Sequence, residues 1–424
     1  GIAWESQVNV PAGELVNDLS QAYIFDTVAE YQASTIAFPV GKTIHLNDRG
    51  ADFTVIAGTG TGNNKNVIAN GSTGQSINVF VGAELDIRAI GAVLDGSDST
   101  EFLQHLDTMT TKTRVTVSGG ELAFKSVSFT NKLDMVVYAN ASLKLLTPDS
   151  IQDRGMTLGG NASYLRVDGI FDGNDTNRTL VEVAGDNCQV YLNDTRNVNS
   201  NVTSSEFVSG LEVNNANGCK FTVIGKDYLN NGNVNGSCPR QVSVQGTSND
   251  YYGFTVKGNV TNACFVTGSN VGKGFVESIH VNNALDNGIY QLGGTLGVNE
   301  IRYEGDEEAV VTKGTIDIGT ISVESSWLSA LRLENCGNVN VGTIQMNQNT
   351  SLGSANIFGT RTGNTQCGRV YIGRIQGSIR GDNLFNCGGN GDIEYLSIGS
   401  FDVDFYYDTS TIGSVSSWAN LQGY

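Results

Sequence analysis

The chain has 424 residues, with 53 glycines, only 4 prolines and 16% charged residues, against the usual quarter. Its formal net charge of −18 repels nucleic acid and anionic lipid, which argues against both as partners. No apolar run approaches the ~20 residues that span a bilayer, so membrane insertion is not expected. What remains, rich in Gly, Asn, Ser, Thr and Val, fits short stacked strands joined by tight turns. Such a solenoid grows coil by coil, and its length implies no division into several domains.

Residues 1–22 show no strong period and read as an extended lead-in. No signal peptide opens the chain, and Gly1 in place of Met reads as a processed or truncated start. Residues 23–94 read as a small β-rich region, with strands expected at Thr43–Leu46, Phe53–Ala57, Ile77–Val81 and Leu85–Ala89. The Gly58-Thr-Gly-Thr-Gly-Asn-Asn loop lacks the Lys-Ser/Thr and following helix of a phosphate cradle, so it reads as a turn, and no cofactor is expected. Residues 95–112 hold the one convincing helical pattern. Ser97, Asp98 or Ser99 can cap it, and Phe102, Leu103, Leu106 and Met109 form its apolar face. Terminal coils of a solenoid need such a cover.

From 113 to 415 the chain repeats, and 416–424 are left as a tail. One apolar step, often with an internal glycine, recurs as Val298-Asn-Glu-Ile301, Ile318-Gly-Thr-Ile321, Val341-Gly-Thr-Ile344, Ile372-Gly-Arg-Ile375 and Ile412-Gly-Ser-Val415. Successive copies lie mostly 20 to 33 residues apart, the period of a β-helix coil. A second column precedes the first, for example Leu180-Val-Glu-Val, Gly210-Leu-Glu-Val, Ala309-Val-Val-Thr and Leu331-Arg-Leu-Glu. Asn187, Asn217, Asn249, Asn338 and Asn390 stand at the turns between columns, where asparagine tolerates a left-handed backbone. The fold predicted is an all-β, right-handed, single-stranded parallel β-helix. The seven cysteines, odd in number and without CxxC spacing, read as small buried hydrophobes rather than a disulfide frame.

The stretch Ala92-Val-Leu-Asp-Gly-Ser-Asp-Ser-Thr-Glu-Phe-Leu, followed by Val115-Thr-Val-Ser-Gly-Gly-Glu-Leu, resembles the opening of pectate-lyase-like β-helix proteins. The preceding segments Thr27-Val-Ala-Glu-Tyr, Val40-Gly-Lys-Thr-Ile and Gly50-Ala-Asp-Phe-Thr-Val resemble the small domain that leads into the helix of bacteriophage tailspikes. The resemblance implies a homotrimeric virion spike. Such a spike would join other tail proteins through its N-terminus, act outside the cell at the host surface, and bind and cleave capsule or O-antigen polysaccharide. It departs from that pattern at both ends, with little chain left for a particle-binding head or a C-terminal trimerisation domain.

Glycoside hydrolysis needs two carboxyls, ~5 Å apart for retention or ~6.5–9.5 Å for inversion. Strands of neighbouring coils stack ~4.8 Å apart, so equivalent outward positions meet such distances. Glu182 and Glu212 occupy matching places and are expected outward on one face, with Asp227 and Tyr228 flanking a groove. A second patch joins the run Arg302, Tyr303, Glu304 and on through Asp306, Glu307 and Glu308 to His280 and Asp286 one coil earlier, a set that also suits β-elimination of a uronate. Tyr251, Tyr252, Tyr290, Tyr303 and Trp327 are candidate sugar-stacking platforms, and Arg332 a partner for acidic sugars. His45, His105 and His280 are too dispersed for a metal site. The alternatives are plain solvated acids, and a fibre that grips glycan without cleaving it.

Overall fold

A computed structural model of the chain describes residues 23–58, 61–109, 113–147, 154–176, 178–198, 209–228, 240–245, 250–260, 265–267, 272–284, 287–305, 307–326, 328–347, 356–360, 366–380, 385–387 and 392–406. The lead-in 1–22 and the tail 416–424 lie outside these, as do Asp286, Asp306 and Trp327, and for Asp227, Tyr228, Tyr251 and Tyr252 only the backbone is described. The chain forms two compact units, one of residues 1–176 and 180–194, the other of 177–179 and 195–424. Both carry coils of a right-handed parallel β-helix.

The first unit opens with a five-stranded mixed sheet in the order Tyr23–Phe25, Thr43–Leu46, Ala51–Ile56, Ser76–Val79 and Val67–Ala69. Alternation buries Ile44, Leu46, Phe53, Val55, Ile68 and Ile77 on one face. A short helix, Val28–Ala33, precedes this core, its first turn capped by Thr27 Oγ1 accepting from Glu30 N. Parallel pairing starts ahead of residue 113: Glu84–Asp86 pairs with Arg114–Val117, and Asp95–Asp98 with Gly120–Phe124. The capping helix runs Thr100–Leu106 from Ser99 and buries Leu103.

In the second unit each coil contributes one long and one short strand. The long ones are Lys220–Tyr228, Asp250–Val260, Lys273–Ala284, Thr295–Gly305, Thr315–Ser325, Val339–Asn347, Gln366–Arg380 and Asp392–Tyr406. The short ones include Phe265–Thr267, Ile289–Gln291, Val310–Thr312, Ser329–Leu333 and Asn356–Thr360. In register, Ile279, Ile301, Ile321, Ile344 and Ile375 form one inward column, and Val298, Ile318, Val341 and Ile372 another, all buried. Removing one such isoleucine side chain to alanine costs about 2–5 kcal/mol.

The glycine inside the repeated step has a packing cause. A Cβ on Gly342 would lie 2.5 Å from the Gly319 carbonyl oxygen, and one on Gly373 would lie 2.7 Å from that of Gly342. The copies from Gly319 onward therefore need glycine where their backbone presses on the coil before, whereas the two preceding copies carry Glu277 and Asn299 at that place. The turn asparagines are partly displaced: Asn187 is left-handed as expected, but at the next described turns Asn215 and Asn335 take that conformation, not Asn217 and Asn338. Cys188, Cys219, Cys336 and Cys367 are buried free thiols, while Asn249 and Asn390 lie outside the described residues.

Candidate functional site

Strand alternation in the second unit sorts the expected residues onto two walls. On the long-strand wall, His280 stands in register with Arg302. His280 Nε2 lies 3.7 Å from Glu300 Oε2, too far for a hydrogen bond, and Arg302 lies 3.4 Å from Glu324. Asn347 Nδ2 donates to the other oxygen of Glu324 at 3.3 Å. Glu304 is exposed two residues beyond Arg302. Tyr303 corrects the expectation of a stacking platform: it points inward in the column of Val281 and Val323, is fully buried, and its hydroxyl accepts from Glu307 N at 3.2 Å. A side chain between two outward neighbours has to face the core.

The short-strand wall gathers a tighter set. Tyr290, Val311 and Arg332 share one column across three coils, with Val311 between them covered. Arg332 Nη1 donates to Glu308 Oε1 at 2.7 Å, and its Nε and Nη2 reach Glu334 Oε1 at 2.7 and 2.5 Å. Lys313 Nζ approaches Glu334 Oε2 at 3.3 Å and sits 5.4 Å from the centre of the Tyr290 ring. The two glutamates are covered, 3% and 4% exposed, whereas Tyr290, Lys313 and Arg332 remain half accessible.

The placement follows from local sequence. Arg332 and Glu334 are two apart on one strand and its extension, so they share a face. Lys313 follows Thr312 as Glu334 follows Leu333, and Thr312 is in register with Leu333, which brings cation and anion together across one coil. Burial alone would raise the Glu334 pKa, but the charge and hydrogen bonds of Arg332, then Lys313, outweigh it and hold that carboxyl below its usual value. Burial likewise opposes charge on Arg332 and Lys313. Glu308 and Glu334 outweigh it for the arginine, Tyr290 and Glu334 for the lysine, and both cations are held more firmly protonated than usual.

The two carboxylates differ in what they have left to offer. Both oxygens of Glu334 are engaged. Glu308 has Oε1 fixed by Arg332 and a buried Oε2 without a hydrogen-bond partner. One guanidinium bridging both holds the bonded oxygens within about 8 Å of each other, and glycosidase carboxyl pairs stand roughly 5–9.5 Å apart. Both cations are neutralised from within, which leaves neither free for the carboxylate of a uronate.

The remaining expected residues are not brought into this set. Glu182, in the first unit, faces outward and accepts from Thr157 Oγ1 at 3.0 Å. Glu212, in the second unit, corrects the expectation of a solvent-facing acid: it stands between inward Leu211 and Val213 yet is only 4% exposed, with Thr179 Oγ1 donating to it at 3.5 Å. Lys313 and Glu334 were not singled out from sequence. Their signal was the shared offset past Thr312 and Leu333, which the short-strand register exposes. Among the described residues no cluster of three His, Cys, Asp or Glu is arranged for a metal ion, and no helix is long and apolar enough to cross a membrane.

No family model matches the chain, and no curated protein matches it. Among solved structures it is similar to full-length tailspike protein 2 from Escherichia coli O157:H7 bacteriophage CAB120, with a TM-score of 0.48 and 10% identity over 94% of this chain and 57% of that one. It is also similar to a family 28 exopolygalacturonase of Yersinia enterocolitica, at TM-score 0.33 and 11% identity over 85% and 84% of the two chains. A third is tailspike protein gp49 of Acinetobacter baumannii bacteriophage Fri1, a capsular polysaccharide depolymerase, at TM-score 0.31 and 10% identity over 87% and 75%. The chain thus spans 57% of the length of the first of these proteins.

Proposed function

We propose that this chain binds a bacterial surface polysaccharide along its short-strand wall and cleaves it by hydrolysis. The observation that carries the reading is the asymmetry of the carboxylate pair on Arg332, with Glu334 fully engaged and Glu308 Oε2 uncommitted. In this mechanism Glu308, whose Oε2 is covered, passes the proton to the glycosidic oxygen once a bound glycan has displaced that cover. Glu334, held ionised, stabilises the positive charge that develops on the sugar ring. The Tyr290 ring, with Lys313 beside it, offers a face for a sugar to stack on. Hydrolysis is favoured over β-elimination because a lyase needs a cation to neutralise the uronate, and Arg332 and Lys313 are already neutralised by Glu308 and Glu334. The biological setting comes from the resemblance of the opening stretch: a homotrimeric spike of a phage tail acting on capsule or O-antigen outside the cell.

The test is incubation with purified glycans from a panel of host strains. New reducing ends without the near-ultraviolet absorbance of an unsaturated uronate support hydrolysis. The same ends with that absorbance overturn it in favour of elimination, and binding without new ends means a fibre that only grips. Glu308→Gln and Glu334→Gln are expected to abolish cleavage. Loss through Glu182→Gln or Glu212→Gln, with the first two active, would move the site to those acids.

A further inference from the structure

Beyond glycan chemistry, two thiols in the second unit are placed to react with each other. Cys336 follows the strand Ser329–Leu333, one residue beyond the left-handed Asn335, and Cys367 is the second residue of Gln366–Arg380 in the next coil. The parallel register Val339 to Val370, carried back three residues, sets Cys336 opposite Cys367. Two hydrogen bonds fix that alignment: Gly368 N donates to Cys336 O and Gln366 N to Asn335 Oδ1, both at 3.0 Å. Adjacent strands lie about 4.8 Å apart, inside the roughly 4.4–6.8 Å Cα separation that a disulfide spans. Both thiols are buried.

We propose that Cys336 and Cys367 are an oxidative modification site, at which hydrogen peroxide converts the thiol pair into a disulfide that staples one coil to the next. The roles within the pair are unequal. The neighbouring Cys336 thiol, ahead of opposing burial, pulls the Cys367 pKa down to about 7, whereas its hydrogen bond to Cys367 and burial push Cys336 upward. Cys367 is therefore the thiolate that attacks peroxide. One oxygen transfers to its sulfur, giving a sulfenic acid, and the other leaves as water with the thiol proton. The Cys336 sulfur then attacks that of Cys367, the S–O bond breaks, and the Cys336 proton leaves with the oxygen as a second water. Two thiols and one peroxide yield one disulfide and two waters. Peroxide is small enough to reach sulfurs that bulky reagents do not.

The experiment treats the folded full-length chain with hydrogen peroxide, then denatures, alkylates and digests it for mass spectrometry. A linked Cys336–Cys367 peptide is expected, with a rise in the thermal midpoint that dithiothreitol reverses. Both cysteines recovered alkylated, or oxidised to sulfinic acid without the linked peptide, would overturn the proposal. In Cys336→Ala and in Cys367→Ala neither the linked peptide nor the dithiothreitol-reversible rise in thermal midpoint is expected, and a rise that persists in either variant also counts against it. Cys188→Ala is expected to leave the linkage unchanged.

Discussion

The two walls of the second unit are made from the same coils, yet they use charge differently. On the long-strand wall, His280 and Glu300 lie 3.7 Å apart and Arg302 and Glu324 3.4 Å, with the arginine side chain 57% exposed. On the short-strand wall, Arg332 reaches two glutamates at 2.5 to 2.7 Å, and both glutamates are covered. The difference lies in shape. A long strand projects its charges singly into water, where each pair contributes about 0–1 kcal/mol. A short strand gives way within a residue or two to turns, and Glu308 and Glu334 stand just outside the strands Val310–Thr312 and Ser329–Leu333. They flank Arg332 in this way and are themselves covered, while the arginine stays partly accessible. Among the described residues of the two walls, the covered one holds a buried carboxylate oxygen without a hydrogen-bond partner, Glu308 Oε2.

The largest effect expected from breaking that contrast is at Arg332. Arg332→Ala leaves Glu308 buried without a cation and Glu334 with Lys313 alone, which costs about 3–5 kcal/mol by the behaviour of broken buried pairs. Urea unfolding checks this, and a loss below about 1 kcal/mol would mean the cluster is as solvated as the opposite wall. Next comes Glu308→Gln. It removes the proton carrier while Arg332 keeps Glu334, so the expected loss is about 100-fold or more in kcat on the cleaved glycan, against a stability change of about 1–2 kcal/mol. Equal losses in the two measurements would reduce Glu308 to a structural role.

The coils were legible in the sequence because their cause is repetitive. Val341-Gly-Thr-Ile344 and its relatives keep aliphatic columns from coil to coil, and from Gly319 onward add a glycine that the preceding carbonyl demands. Asn187 was legible for the same reason, but the shift from Asn217 to Asn215 shows that a turn's length is set by local hydrogen bonding, which a period averages away. The site was far less legible. Arg332 and Tyr290 were found as isolated side chains of useful chemistry, without the partners that give them meaning. Lys313 and Glu334 lie just past their strands, where the repeat no longer fixes the register by eye. Tyr303 shows the converse failure: its neighbours Arg302 and Glu304 made it look like part of a polar patch, although alternation sends it into the core. Glu182 and Glu212 match in the repeat, but matching position says nothing of cover, and Glu212 is covered.

A subtler effect is expected from pH. Glu334 has a folded-state pKa below its ordinary 4.5, so the unfolded chain binds its proton more readily. The stability it contributes is present above that ordinary value and lost as pH falls through the depressed one. Lys313 is the mirror case, raised above 10.5, so its contribution is complete below that value and lost as pH rises through the folded one. Glu334→Gln is therefore expected to flatten the acid limb of a plot of unfolding free energy against pH, and to lessen the alkaline one as Lys313 loses its partner. An unchanged acid limb would mean that Glu334 titrates alike in folded and unfolded chain.

The smallest effect belongs to the open wall and serves as the control for all the others. Arg302→Ala removes a cation that meets Glu324 at 3.4 Å in water-accessible surroundings, and Glu324 keeps its bond from Asn347. The expected cost is under about 1 kcal/mol and shrinks with added salt, because exposed charges are screened. The same salt series applied to Arg332→Ala is expected to change its cost little, since Glu308 and Glu334 are covered from the ions. If the two variants respond to salt alike, the walls do not differ in cover, and the reason for placing the chemistry at Arg332 rather than Arg302 is gone.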